Sequence, residues 1–141
     1  MSVQWLDLLS TTDRTLALRP GCPLSAIAAA ETQLGVSLPA SLSEFLTASD
    51  GFTDLESRYE YAWPLETIVT ENRRAWSEPV MRLDEALLAF GGDGAGDWFC
   101  LPLEDADGPV YHWAWITGQA REVAPDLASF WPDWLRGSLK V

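Results

Sequence analysis

The spacing of hydrophobic positions changes character near residue 85, and the change divides the chain into two kinds of structure. Before it, apolar residues recur at helical intervals. In "RPGCPLSAIAAAETQLG" (19–35), Pro20, Gly21 and Pro23 punctuate the entry, and Gly35 suits the position just past a helix end. Leu24, Ile27, Ala28, Glu31 and Leu34 form its stripe, with Glu31 the one polar member. "VSLPASLSEFLTASDG" (36–51) predicts a second helix, with Pro39 in its first turn, Ser41 and Glu44 as a capping box, and Gly51 at its end. Leu38, Leu42, Phe45 and Leu46 make its buried stripe, and the two helices are expected to pack as a pair. "PLETIVTENRRAW" (64–76) predicts another helix, with Leu65, Ile68, Val69 and Asn72 inward. Between them, "FTDLESRYEYAW" (52–63) is ambiguous: Tyr59 and Tyr61 alternate as in a strand, while the charges suit a loop.

After residue 85 the apolar runs shorten to strand length. "ALLAF" (86–90), "WFCLPL" (98–103) and "PVYHWAWI" (109–116) are separated by turn-rich loops, which predicts an antiparallel meander. A short strand is expected at 121–124. "PDLASFWPDWLRGSL" (125–139) predicts a closing helix opening at Pro125 or Asp126, with Pro132 kinking or splitting it. Helices first, then a small sheet, then a helix define an α+β fold. The 141 residues suit a single domain (1–141) able to bury a core without disulfide or metal.

Charge narrows the function. Nine Lys and Arg against 21 Asp and Glu leave a formal charge of −12, which opposes nucleic-acid binding and favours basic partners. No Lys or Arg lies between Arg82 and Arg121, while Asp84, Glu85, Asp93, Asp97, Glu104, Asp105 and Asp107 all do. The amino-terminal stretch lacks the basic and apolar regions of a signal peptide, and no run is long enough to cross a bilayer. Cys22 and Cys100 have no metal-ligand spacing and read as buried thiols in a reducing, cytoplasmic setting.

"FGGDGAGDWFCLPLE" (90–104) raises the question of a ligand loop. It lacks the Lys and hydroxyl of a phosphate loop, and no helix follows to supply a dipole. As a calcium loop it offers Asp93 and Asp97 without the further oxygens or the closing Glu. The remaining reading is a glycine-rich hairpin with both aspartates in water. His112 is the only histidine, so no two-histidine metal site or relay can form. Alternation places it opposite Tyr111, Trp113 and Trp115 on its strand. No nucleophile elbow or triad context accompanies the Ser, Thr or Cys residues, and no cofactor is expected. Trp113 and Trp115, and Trp131 and Trp134, read either as core or as interface anchors.

The order of these pieces resembles the SMI1/KNR4 family, also called the SUKH superfamily. The matching stretches are "AIAAAETQLGVSLPASLSEFLTASDGF" (26–52), "WPLETIVTEN" (63–72), "FGGDGAGDWFCLPLEDADGPVYHW" (90–113) and the tail "DLASFWPDWL" (126–135), so that 20–136 is best matched. The resemblance implies helices packed on a mainly antiparallel sheet, with no enzymatic activity and no site residues common to all members. Many bacterial members look like immunity proteins that neutralise a cognate toxin; others are regulatory interaction proteins. A basic nuclease toxin would be steered to an acidic partner. The expected binding residues are Asp93, Asp97, Glu104, Asp105, Asp107, Trp113 and Trp115, in a monomer or weak homodimer without nucleic-acid or membrane contacts.

Overall fold

The computed structural model describes residues 4–139 and 141. Seven antiparallel strands form one sheet in chain order, β1 (Leu16–Leu18), β2 (Phe52–Asp54), β3 (Tyr59–Ala62), β4 (Leu87–Gly92), β5 (Trp98–Pro102), β6 (Val110–Ala114) and β7 (Gln119–Ala124). Five helices accompany it: α1 (Trp5–Ser10), α2 (Leu24–Leu34), α3 (Ala40–Ala48), α4 (Leu65–Ser77) and α5 (Leu127–Leu135). The fold is α+β. The ambiguous 52–63 stretch is the β2–β3 hairpin, and β1 escaped the sequence reading because three residues carry too little alternation to register.

The helix positions follow from local chemistry, with three departures from expectation. In α2 the buried residues are Ile27, Ala30 and Leu34, while Leu24 and Ala28 face solvent. The inward stripe is therefore turned from the one that spacing suggested. Glu31 uses its carboxylate to accept the Leu38 amide at 2.7 Å, which ties down the α2–α3 connection. The predicted capping box of α3 is absent, because Pro39 is the cap and Ser41 is already helical. The Ser41 amide instead donates to the Ala106 carbonyl of the β5–β6 loop at 2.9 Å. Finally, α2 packs mainly on α4 and α3 on α1, rather than as a pair.

Helix α5 begins at Asp126, whose side chain caps the Ser129 amide at 2.8 Å, and runs through Pro132 without splitting. Pro132 is itself buried, so the ring packs in the core while the helix forgoes one internal bond. The sheet face under α5 is aromatic. Trp131 lies against Phe45, Phe52, Phe90 and Phe130, and Phe99 contacts Phe130 and Trp134. On the opposite face Trp98 bridges Trp63 and Trp113. These edge-on and tilted ring pairs each add to the area they bury.

A bulge in β4 between Ala89 and Gly91 is supported from α4. Buried Asn72 donates to the Ala89 carbonyl and accepts the Ala89 amide, both at 2.8 Å. A single side chain thus satisfies the backbone that the bulge removes from the ladder. Across the next strand a Cβ at Gly91 would stand 2.1 Å from the Tyr61 carbonyl oxygen, so only glycine lets β3 and β4 approach there.

Candidate partner-binding surface

Strand β5 divides the cation-free segment into two groups of acidic residues at opposite ends of the sheet. Its five residues at about 3.3 Å each separate them by roughly 15 Å. Asp93 and Asp97 belong to the β4–β5 turn, beside the β6–β7 turn that carries Trp115. Glu104, Asp105 and Asp107 belong to the β5–β6 loop at the other end, where Asp84 and Glu85 precede β4. The 93–107 segment is therefore not one acidic face.

At the loop end the carboxylates are exposed. Glu104, Asp105, Asp107, Asp84 and Glu85 all face solvent, and none takes part in an ion pair among the described residues. The backbone beneath them is fixed: the Leu103 amide donates to the Ala86 carbonyl at 2.9 Å, and Ala106 holds the start of α3. Asp84 accepts the Ala86 amide with one oxygen, closing the turn into β4. The result is a rim of five carboxylates on ordered loops. No ion pair among the described residues offsets its negative potential, which falls off over a Debye length of about 8 Å at physiological salt.

At the turn end the aspartates are structural, which corrects the expectation that both stand in water at the tip. The Asp93 side chain is only 6% exposed. Its Oδ1 accepts the amides of Ala95 at 2.7 Å and Asp97 at 3.2 Å, while Oδ2 lies 3.0 Å from His112 Nε2. Gly94 follows with φ +85, a left-handed conformation that an L side chain rarely adopts. Asp97 accepts the Trp115 amide at 3.3 Å with Oδ1 and points Oδ2 toward the imidazole, 3.9 Å away. His112 pairs in register with Phe99, on the face opposite Trp98 and Trp113, as alternation implied. What sequence missed was the neighbour two strands away; a turn aspartate and a strand histidine 19 positions apart carry no local signal.

The two tryptophans named for binding separate. Trp113 is 1% exposed and belongs to the core, so it offers nothing to a partner. Trp115 lies past the end of β6 in the turn and is 46% exposed, next to Ile116 at 74%. The expected shared face fails because the strand stops at Ala114.

Both thiols hold their protons more tightly than a free cysteine. Burial pushes Cys22 up to about 12, with a hydrogen bond and the charge of Asp50 acting in the same direction. Burial alone pushes Cys100 well above the usual thiol range. Tyr59, which stacks on Tyr61 beside the β4–β5 turn, is also raised, first by burial and then by the nearby Asp93, while the Gly94 backbone acts the opposite way.

A small α+β fold with helices packed on an antiparallel meander, two acidic loop ends and a glycine-rich β4–β5 turn defines the class. Residues 21–132 match the SMI1 / KNR4 family (SUKH-1), and the chain belongs to that family. A comparison with curated proteins finds no match. No helix among the described residues is long and apolar enough to cross a membrane.

Proposed function

We propose that this protein is a non-catalytic immunity protein that binds and neutralises a basic toxin domain in the cytoplasm. Its contact surface is the rim formed by Asp84, Glu85, Glu104, Asp105 and Asp107. The observation that carries this reading is the collection of five exposed carboxylates, in no ion pair among the described residues, on ordered loops at one end of the sheet. Such a rim raises the association rate of a cationic partner and rejects anionic ones. Family membership supports a protein-binding role. Asp97 and Trp115, at the far end, belong to a separate surface.

The test takes a toxin domain encoded by a neighbouring gene as the partner, with affinity measured by surface plasmon resonance at low and moderate salt. The triple variant Glu104→Lys, Asp105→Lys, Asp107→Lys is expected to weaken binding by at least about a hundredfold at low salt, most of it in the association rate. Unchanged affinity would move the contact surface elsewhere. A second reading is a regulatory interaction module with no toxin partner. A gene standing without any toxin-encoding neighbour would favour that module.

A further inference from the structure

The β4–β5 turn has a chemical use independent of partner binding at the opposite end. We propose that Asp93, Asp97 and His112 form a site for one divalent transition-metal ion, with zinc the best match. One carboxylate oxygen from each aspartate and one imidazole nitrogen lie within 4.8 Å of one another. His112 Nε2 is 3.0 Å from Asp93 Oδ2 and 3.9 Å from Asp97 Oδ2. Ligand atoms each about 2.1 Å from a common ion stand roughly 3.0–3.4 Å apart at octahedral to tetrahedral angles. The His112–Asp93 pair is therefore already at ligand spacing. Asp97 has to close by about half an ångström on the imidazole, and its oxygen starts within 4.8 Å of that of Asp93, so a side-chain rotation of Asp97 completes the set.

Burial and charge point the same way. Asp93 and His112 are only 6% and 11% exposed at the side chain, so neither is a freely moving surface group. Two carboxylates face one imidazole, which supplies at most one positive charge against two negative ones. Among the described residues no Lys or Arg joins them in an ion pair. Arg14 shares the small cleft beside Asp93, about 200 Å³ in volume, but its guanidinium is committed to Asp54, Glu56 and the Leu135 carbonyl. Arg121 opposes His112 across the β6–β7 ladder and is exposed. A dication would neutralise the excess charge that these arginines leave in place.

The donors are also oriented in advance. Two backbone amides hold Asp93 Oδ1, which leaves Oδ2 directed at the imidazole. The Trp115 amide holds Asp97 Oδ1, which leaves Oδ2 on the imidazole side. Such outer contacts fix a ligand's geometry before the ion arrives. Asp97 is 28% exposed, so the ion has an approach from solvent, and water completes its coordination. Imidazole with two carboxylates suits zinc and its first-row neighbours; calcium and magnesium prefer larger all-oxygen sets. On binding, Nε2 presents its lone pair to the metal, and any proton it shared with Asp93 leaves to solvent.

The test is calorimetric titration of the chelator-stripped full chain with zinc chloride at neutral pH, beside an equal titration with calcium chloride. The expected result is one zinc per chain with a dissociation constant of about 10 µM or tighter, and at least about tenfold weaker calcium binding. His112→Gln and Asp97→Asn should each weaken zinc by about tenfold or more, while Asp105→Asn at the other end leaves it unchanged. Zinc should also shift the His112 ring resonances of the unmodified protein, a readout that needs no folded variant. No saturable binding, both turn variants binding zinc as tightly as the unmodified protein, or unmoved imidazole resonances would each overturn the site.

Discussion

The two ends of strand β5 carry the same residue type in opposite physical situations. At the β4–β5 turn, the Asp93 side chain is largely shielded from solvent and spends both oxygens on the protein's own atoms, two amides and an imidazole. At the β5–β6 loop, Asp105 and Asp107 are exposed and spend neither on an ion pair. An aspartate whose hydrogen bonds are internal shapes the chain. One whose oxygens remain in water is open to a protein partner. The difference teaches that a run of carboxylates along a sequence is not a patch until the fold has assigned each its partners.

The comparison can be broken by substitution, beginning with the largest effect. Asp93→Ala should destabilise the protein by about 1.5–2.5 kcal/mol in denaturant unfolding, because it removes the shared acceptor of two amides and the partner of the His112 imidazole. A loss under about half a kcal/mol would place Asp93 in the same class as the loop residues. Gly94→Ala should cost about 1–2 kcal/mol by the same assay, since φ +85 opposes a Cβ. Asp105→Ala and Asp107→Ala should change stability by less than about 0.5 kcal/mol, while weakening the partner contact.

The smallest effect is a pH dependence at the turn end. Tyr59 holds its proton more tightly in the folded state than in the unfolded one. Its contribution to stability is complete below the ordinary tyrosine pKa near 10, and it is lost as pH rises from there through the raised folded value. Tyr59→Phe should flatten the alkaline limb of the stability curve measured by urea unfolding. An unaltered limb would remove Tyr59 from the account.

Much of the architecture was legible because it is written in short-range pattern. Leu38, Leu42, Phe45 and Leu46 are all buried, as are Leu65, Ile68, Val69 and Asn72, and the meander after residue 85 is present. The errors arise where distant contacts override local spacing. Leu24 occupies a stripe position yet is 75% exposed, because α2 turns toward α4 rather than toward its chain neighbour. Ser41 reads as a cap, but the Ala106 carbonyl already takes the amide there. Of the residues expected at a partner surface, Glu104, Asp105 and Asp107 are exposed at one end and Asp97 and Trp115 reach solvent at the other. Trp113 and Asp93 are drawn inward by neighbours on β5 and β6 that no local window contains.

The unbroken strand order has a consequence for how the chain reaches this fold. From β4 to β7 each strand meets the next across a short connection, so those pairings close small loops at little entropic cost. Strand β1 finds β2 only after residues 19–51, with two helices between, have been gathered in. Non-local pairings of that kind form late. In a refolding experiment read by pulsed hydrogen exchange, amides of β5 and β6 should gain protection first and those of β1 last. A β1 protected at the outset would mean that the helices organise the sheet.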